Sequence, residues 1–358
     1  MKIFIDILTP KQCMLFAKLS ERLTKREHQI FLTTREYREV LQLLHLKGIY
    51  AKVVGKHGGG KLFDKLEASA KRTLQLATLI KKWKPDVAVS FSSPEATRVA
   101  FGLGIPHICI NDSPHAEAVA RLTIPLSERL LTPKMIPKKA WTKFGISANS
   151  VVQYNAFDAW AWLKDFKPNE KILAELGLDE TKPILTFRTE ETFASYLLQK
   201  ARKIPIIVST IRELLQTSRD FQVVVLPRYE RQIAVLKNIF HEKVVVCHTT
   251  VDAPSLLSFT SIFVGAGGTM TSEAVLLGVP TFSCYPEEPY LIEKYLLSKR
   301  LAIRETIPRK LAKRILETLD NLKRARKRQS KKARRLTSAF EDPVDVIVKT
   351  VEDVHMTA

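Results

Sequence analysis

Short apolar runs alternate with longer amphipathic ones along almost the whole chain, and no other feature restricts its fold as much. Lys2-Ile3-Phe4-Ile5-Asp6-Ile7 has the texture of a strand. Gln12 to Arg26 then carries Leu15, Phe16, Leu19 and Leu23 at helical spacing, and Gln29-Ile30-Phe31-Leu32-Thr33 is strand-like again. The series continues with a helix over 36–46, a strand over 50–54, a helix over 62–83, a strand over 87–90, a helix over 94–103 and a strand over 107–110. Strands separated by helices need crossover connections, which predicts a parallel, doubly wound sheet. A second series begins after Lys167-Pro168-Asn169, with strands expected at 183–187, 221–226, 244–246 and 262–264 and helices between them. A chain of 358 residues is longer than one core normally sustains. The pattern therefore predicts domains at 1–165 and 166–322, followed by a basic helix and a last helix within 323–358, the last helix docking back on the first domain.

Composition narrows the function classes. No run approaches the roughly 18 apolar residues of a spanning helix, and the first residues read as a core strand rather than a cleavable leader, so a cytoplasmic location is expected. Cys13, Cys109, Cys247 and Cys284 are far apart and show no paired spacing, which suits reduced core residues. The net charge of +20 suggests nucleic acid until it is located. Residues 299–335 hold sixteen Lys/Arg against three acids, so most of the excess is one segment. Its densest part, 323–335, has helix-forming composition and almost no apolar stripe, which predicts an exposed basic helix solvated on most sides. Peripheral contact with an anionic membrane surface suits such a helix. Nucleic acid is disfavoured because no aromatic string accompanies the charge.

The most informative stretch is Val264-Gly-Ala-Gly-Gly-Thr-Met-Thr-Ser-Glu-Ala-Val-Leu-Leu-Gly-Val-Pro280, a strand end, a glycine corner, a helix and the start of another strand. A helix that starts at Gly268 or Thr269 leaves its first N–H groups without intrahelical partners and adds about half a positive charge there. Glycines at 265, 267 and 268 let an anion approach the main chain, and Thr269 and Thr271 can add hydroxyl donors. The alternative is a tight turn with Thr269 as cap and Glu273 complementing the dipole.

Gly267-Gly268-Thr269-Met270-Thr271-Ser272-Glu273-Ala274, with Leu277-Gly278-Val279-Pro280, resembles the donor-site segment of GT-B fold proteins, including UDP-N-acetylglucosamine 2-epimerases and MurG-like glycosyltransferases. The resemblance implies a GT-B-like fold of two Rossmann-like domains facing a cleft. It also implies a nucleotide-diphosphate sugar, with UDP as the first expectation, bound between them. On it, Gly267, Gly268 and Thr269 would contact phosphate and Glu273 the ribose. Arg188 and Arg228, each at a strand end, would be further anion contacts, and the loop His248–Asp252 resembles the one that cradles the base. From Ile5-Asp6-Ile7-Leu8-Thr9-Pro10 through Asn111-Asp112-Ser113-Pro114-His115 to Leu226-Pro227-Arg228-Tyr229, the chain also resembles an archaeal family known as domain of unknown function 354.

In GT-B enzymes the first domain usually supplies the acceptor side and the base. Asp112 and His115, three residues apart after a strand, are the expected acid/base pair. Asp112 or Ser113 capping a helix with Pro114 at its first position is the alternative. Thr9-Pro10-Lys11-Gln12 stands where MurG-like enzymes have a glycine-rich loop with a histidine, so that side is not carried over. Gly55-Lys56-His57-Gly58-Gly59-Gly60-Lys61 has P-loop spacing, but Leu62 replaces the magnesium-binding hydroxyl, which argues against an ATPase. No metal-binding motif is present, and neither metal nor cofactor is expected. The reading is a nucleotide-sugar-dependent glycosyltransferase. Its rivals are a 2-epimerase-like isomerase and a non-enzymatic protein using the basic helix on RNA or anionic lipid.

Overall fold

A computed structural model describes residues 1–189 and 205–357. The chain divides into two compact units, Met1–Trp162 with Glu341–Ala358, and Leu163–Phe340. Residues 323–358 are thus shared out: the basic helix Leu322–Thr337 lies in the second unit, and the last helix, Pro343–Thr357, in the first.

The first unit is built on seven parallel strands: β1 (Lys2–Ile7), β2 (Gln29–Glu36), β3 (Lys52–Lys56), β4 (Val87–Ser90), β5 (His107–Ile110), β6 (Arg129–Pro133) and β7 (Val151–Tyr154). Their order is β3-β2-β1-β4-β5-β6-β7. β4 and β5 are buried at every position, as expected of strands covered on both faces. The last helix joins this unit through Val344, Ile347, Val348, Val351 and Val354, all buried at helical spacing. Its Glu352 pairs with Arg26 at 2.9 Å and His28 at 3.2 Å.

The second unit has six parallel strands: β8 (Ile184–Arg188), β9 (Gln222–Leu226), β10 (Val245–Val246), β11 (Ile262–Gly265), β12 (Thr281–Ser283) and β13 (Ile303–Arg304), in the order β10-β9-β8-β11-β12-β13. In each sheet the strand order reverses once, between β1 and β4 and between β8 and β11. The carboxyl ends flanking such a reversal are where open α/β sheets form binding crevices.

A buried ion pair ties the ends of β1 to β4 together. Arg72, from the helix Leu62–Trp83, donates to both oxygens of Asp6 at 3.0 and 2.6 Å and to the Val54 carbonyl at 2.9 Å. Ser93 and Thr33 also donate to Asp6, each at 2.6 Å. Burial alone would push the Asp6 carboxyl up, but the guanidinium and these donors hold it below its usual range. The P-loop-like glycines serve this packing. Gly55, at φ +68°, leaves only 3.0 Å between a hypothetical Cβ and Arg72 Cβ, and at Gly58 such an atom would stand 2.5 Å from Lys65 Cα.

His107 pins β4 to β5. Its ring nitrogens hydrogen-bond with Ser90 Oγ and Ser127 Oγ, both at 2.9 Å. Burial drives the imidazole pKa down to about 3, against a small opposing pull from Asp6. The folded value lies below the unfolded one of about 6.5, so this contribution to stability is full above pH 6.5 and falls as pH drops towards 3. Going from pH 6.5 to 5 should cost about 2 kcal/mol through this residue. Urea midpoints of the native chain and of His107→Phe at pH 7 and 5 check it: the variant should show the smaller acid loss, and equal losses would contradict the assignment.

Candidate functional site

In the second unit, β11 runs into Gly265-Ala266-Gly267-Gly268 and the helix Thr269–Leu276. Gly265 is fixed by packing, since a Cβ there would meet the Phe263 ring at 2.8 Å. Gly267 and Gly268 turn the chain at φ +75° and +87°. Gly268, with ψ −172°, occupies a region that only glycine enters at low cost. Gly268 is exposed and no side chain caps the helix it opens, so the positive helix end is presented at the β8/β11 reversal. Thr269 is half-buried at that end. Thr271 Oγ1 is buried without a hydrogen-bond partner among the described residues.

The strand ends β8 and β9 bring both arginines to this edge. Arg228 donates through Nε to the Thr189 carbonyl at 3.0 Å, and its Nη2 lies 3.8 Å from where a Cβ on Gly268 would be. Arg188 instead donates to the carbonyls of Pro227 at 2.8 Å and Leu226 at 3.4 Å, which ties β8 to the end of β9. Arg228 is therefore the arginine beside the corner, while Arg188 has a bracing role in this structure. Glu273 is only 4% exposed, one turn into the helix. In the proposed base loop, Asp252 accepts from Ser255 at 2.5 Å.

Glu293, which sequence reasoning missed, also meets the corner. It is 4% exposed, accepts from the Ser283 hydroxyl, and directs Oε2 to 3.2 Å from a hypothetical Gly267 Cβ. That oxygen has no hydrogen-bond partner among the described residues. Burial raises the carboxyl's pKa, against the Ser283 bond and Arg304.

The first unit gathers a second cluster at the carboxyl ends of β1, β5 and β7. Asp112 follows β5, and its principal partner is Lys11, whose Nζ lies 2.5 Å from Oδ2. Lys11 also pairs with Asp158, and sits 4.3 Å over the Phe91 ring. Tyr154, the last residue of β7, hydrogen-bonds Asp158, and Ser113 Oγ donates to Asp112 Oδ1 at 2.8 Å. Exposure rises along this chain, from 3% for the Asp158 side chain to 15% for Lys11 and 23% for Asp112. Burial would lower the Lys11 pKa, but the two carboxylates raise it. Burial would likewise raise Asp112, yet Lys11 and Ser113 keep it below its usual range. Asp158 goes the other way: burial and the Asp112 charge raise it in spite of Lys11. His115 is half-buried, and burial drives it down to about 4 against the pull of Asp112, so near neutrality its imidazole is uncharged. The helix nearby starts at Glu117 with Ala116 before it, so neither Asp112 nor Ser113 is its cap.

The described residues contain no group of three or more His, Cys, Asp or Glu suited to a metal ion, and no helix long and apolar enough to cross a membrane. Comparison with known proteins places the architecture. A family profile, "Protein of unknown function (DUF354)", matches residues 1–355. An uncharacterized protein of Methanocaldococcus jannaschii is 35% identical over 303 residues, covering 83% of this chain and 85% of that one. Among solved structures, the UDP-GlcNAc 2-epimerase of Neisseria meningitidis bound to UDP-GlcNAc superposes with a TM-score of 0.75 at 16% identity, over 99% of this chain and 100% of that one. The M. jannaschii UDP-GlcNAc 2-epimerase in complex with UDP-GlcNAc and UDP gives 0.69 at 18% identity, over 89% and 93%. Spinosyn rhamnosyltransferase SpnG gives 0.61 at 14%, over 99% and 100%. These likenesses establish a GT-B fold of two Rossmann-like α/β units.

Proposed function

The chain belongs to the DUF354 family, and from that premise we propose that it is a nucleotide-diphosphate-sugar-dependent glycosyltransferase. The observation that carries this reading is the exposed Gly268 opening an uncapped helix at a strand-order reversal, with the Arg228 guanidinium alongside. Helix amides, the helix dipole and an arginine fork form an anion seat that needs no metal in order to hold a diphosphate. The solved relatives of this fold include proteins described with UDP-GlcNAc or UDP bound, which makes a UDP-sugar the first donor to test.

In the proposed reaction the sugar C1–O bond breaks and the diphosphate departs with the electron pair, its growing charge met by the amides near Thr269 and by Arg228. Glu273 takes the ribose hydroxyls. An acceptor hydroxyl forms the new bond to C1 and gives its proton to Asp112, which Lys11 keeps ionised and oriented; a base held by a second group in this way follows the general logic of activated hydroxyls. His115, neutral near pH 7, is available as a hydrogen-bond partner rather than as a cationic acid.

A second reading, a 2-epimerase, is favoured by one observation: the backbone fits the N. meningitidis epimerase better than SpnG. In that case the diphosphate would leave and return to the same sugar. A thermal-shift screen of nucleotides and nucleotide sugars tests the shared part, because a ligand bound only by the native state raises stability by RT ln(1 + [L]/Kd). A UDP-sugar shift that disappears in Arg228→Ala and Glu273→Gln is expected. No shift with any nucleotide sugar would remove both readings. With a hit in hand, UDP release that requires an acceptor marks a transferase, and sugar interconversion without one marks an epimerase.

A further inference from the structure

The basic helix Leu322–Thr337 is fastened to the second unit by polar contacts, alongside Leu322 against its core and the buried Ala333. Arg326 donates to the Thr260 and Ser258 carbonyls at 2.6 and 3.2 Å, at the carboxyl end of the helix Ala253–Phe259, where carbonyls lack intrahelical partners. Gln329 donates to the Leu301 carbonyl, and Lys332 to that of Arg300. Ser330 packs against Gly278 so closely that a Cβ there would stand 2.6 Å from its hydroxyl. The contacts fix which way the helix faces, and what they leave outward is uniform. Lys323, Arg324, Lys327, Arg328, Lys331, Arg334 and Arg335 are all exposed. At about 100° per residue they fall within one arc of roughly 140°, along about 18 Å of helix.

None of these seven forms an ion pair with a described residue, whereas basic residues of the preceding helix Pro308–Asp320 do: Arg314 pairs with Glu305, just before that helix, at 3.4 Å and Lys313 with Glu317 at 4.0 Å. An unneutralised cationic row held rigidly on a folded unit gains nothing for the fold, since like charges four residues apart repel.

We propose that this face is a docking surface for an anionic lipid bilayer, and that it brings the protein to membrane-borne substrates. The arc offers charge and nothing that reads or stacks bases: it holds no aromatic residue, and the helix's one amide, Gln329, is buried with its donor on Leu301. Each Lys or Arg at an anionic surface contributes about 1 kcal/mol, so seven suffice for reversible binding without an inserted anchor.

Cosedimentation of the full chain with phosphatidylcholine vesicles, with and without phosphatidylglycerol, tests the proposal. Binding only to the anionic vesicles, released by high salt, is expected. The triple variant Lys327→Glu, Arg328→Glu, Lys331→Glu alters exposed positions alone, so it should keep the native circular dichroism and any UDP-sugar thermal shift while binding vesicles at least about 10-fold more weakly. No binding by the native chain, or equal binding by the variant, overturns the assignment. So does binding to an RNA or DNA oligonucleotide that anionic vesicles fail to displace. Because the nucleotide-sugar shift is read separately, failure here leaves the proposed reaction standing, and the reverse also holds.

Discussion

Replacing Gly268 with alanine is expected to weaken UDP-sugar binding by about 100-fold or more, close to 3 kcal/mol. Two effects combine. At φ +87° and ψ −172° any side chain is strained, at an order of 1–3 kcal/mol, so the turn must relax and carry the amides ahead of Thr269 with it. The added methyl also stands 3.8 Å from Arg228 Nη2, in the space the geometry leaves beside that guanidinium. Calorimetric titration with UDP reads the loss. Gly48→Ala separates binding from strain: Gly48 also has a positive φ, +64°, yet nothing lies within 4 Å of its hypothetical Cβ. That variant should lose stability and keep its affinity. If Gly268→Ala binds as tightly as the native protein, the helix opening is not the diphosphate seat.

The fold was legible where the sequence alternates cleanly. The strand at 87–90 and the helix at 62–83 have the predicted bounds because a fully buried strand and a long amphipathic helix leave unambiguous patterns. β6 and β7 were missed. Arg129–Pro133 ends in proline, Val151–Tyr154 has only four residues, and the text around both is broken by short turns. That omission hid half of the first unit's site, since Tyr154 and Asp158 are placed by β7. Lys11 was hidden differently. Its loop was compared with a glycine-rich motif and set aside, while nothing local shows that residues 11, 112 and 158 meet; only the strand order does. Glu293 was unreadable for the same reason, being aligned with Gly267 by the β11–β12 pairing and not by spacing. The glycine corner was legible because all its parts are contiguous. The basic helix was half legible: its charge was evident, but carbonyl ends as a docking partner leave no apolar periodicity.

The second large effect concerns Lys11. Lys11→Met should destabilise the protein by about 3–5 kcal/mol at pH 7, because it leaves Asp158 and Asp112 as neighbouring carboxylates without the ammonium that bridged them. Acid should relieve the defect. In the variant both carboxyls have folded pKa values raised above the unfolded value of about 3.9, so the folded state binds more protons than the unfolded one. Such groups favour folding below that value, and their contribution is lost as pH rises through the folded pKa. The deficit relative to the native chain should therefore be small near pH 4 and large at pH 7, as read from urea midpoints at both. Adding Asp158→Asn removes the more buried charge and should recover most of the loss. That double variant also isolates the role of Lys11 in catalysis: Asp112 remains, in a sound fold, without the cation that holds it ionised. The acid limb of its pH–rate profile should move upward, whereas a lysine that only braces the fold would leave that limb in place once stability returns.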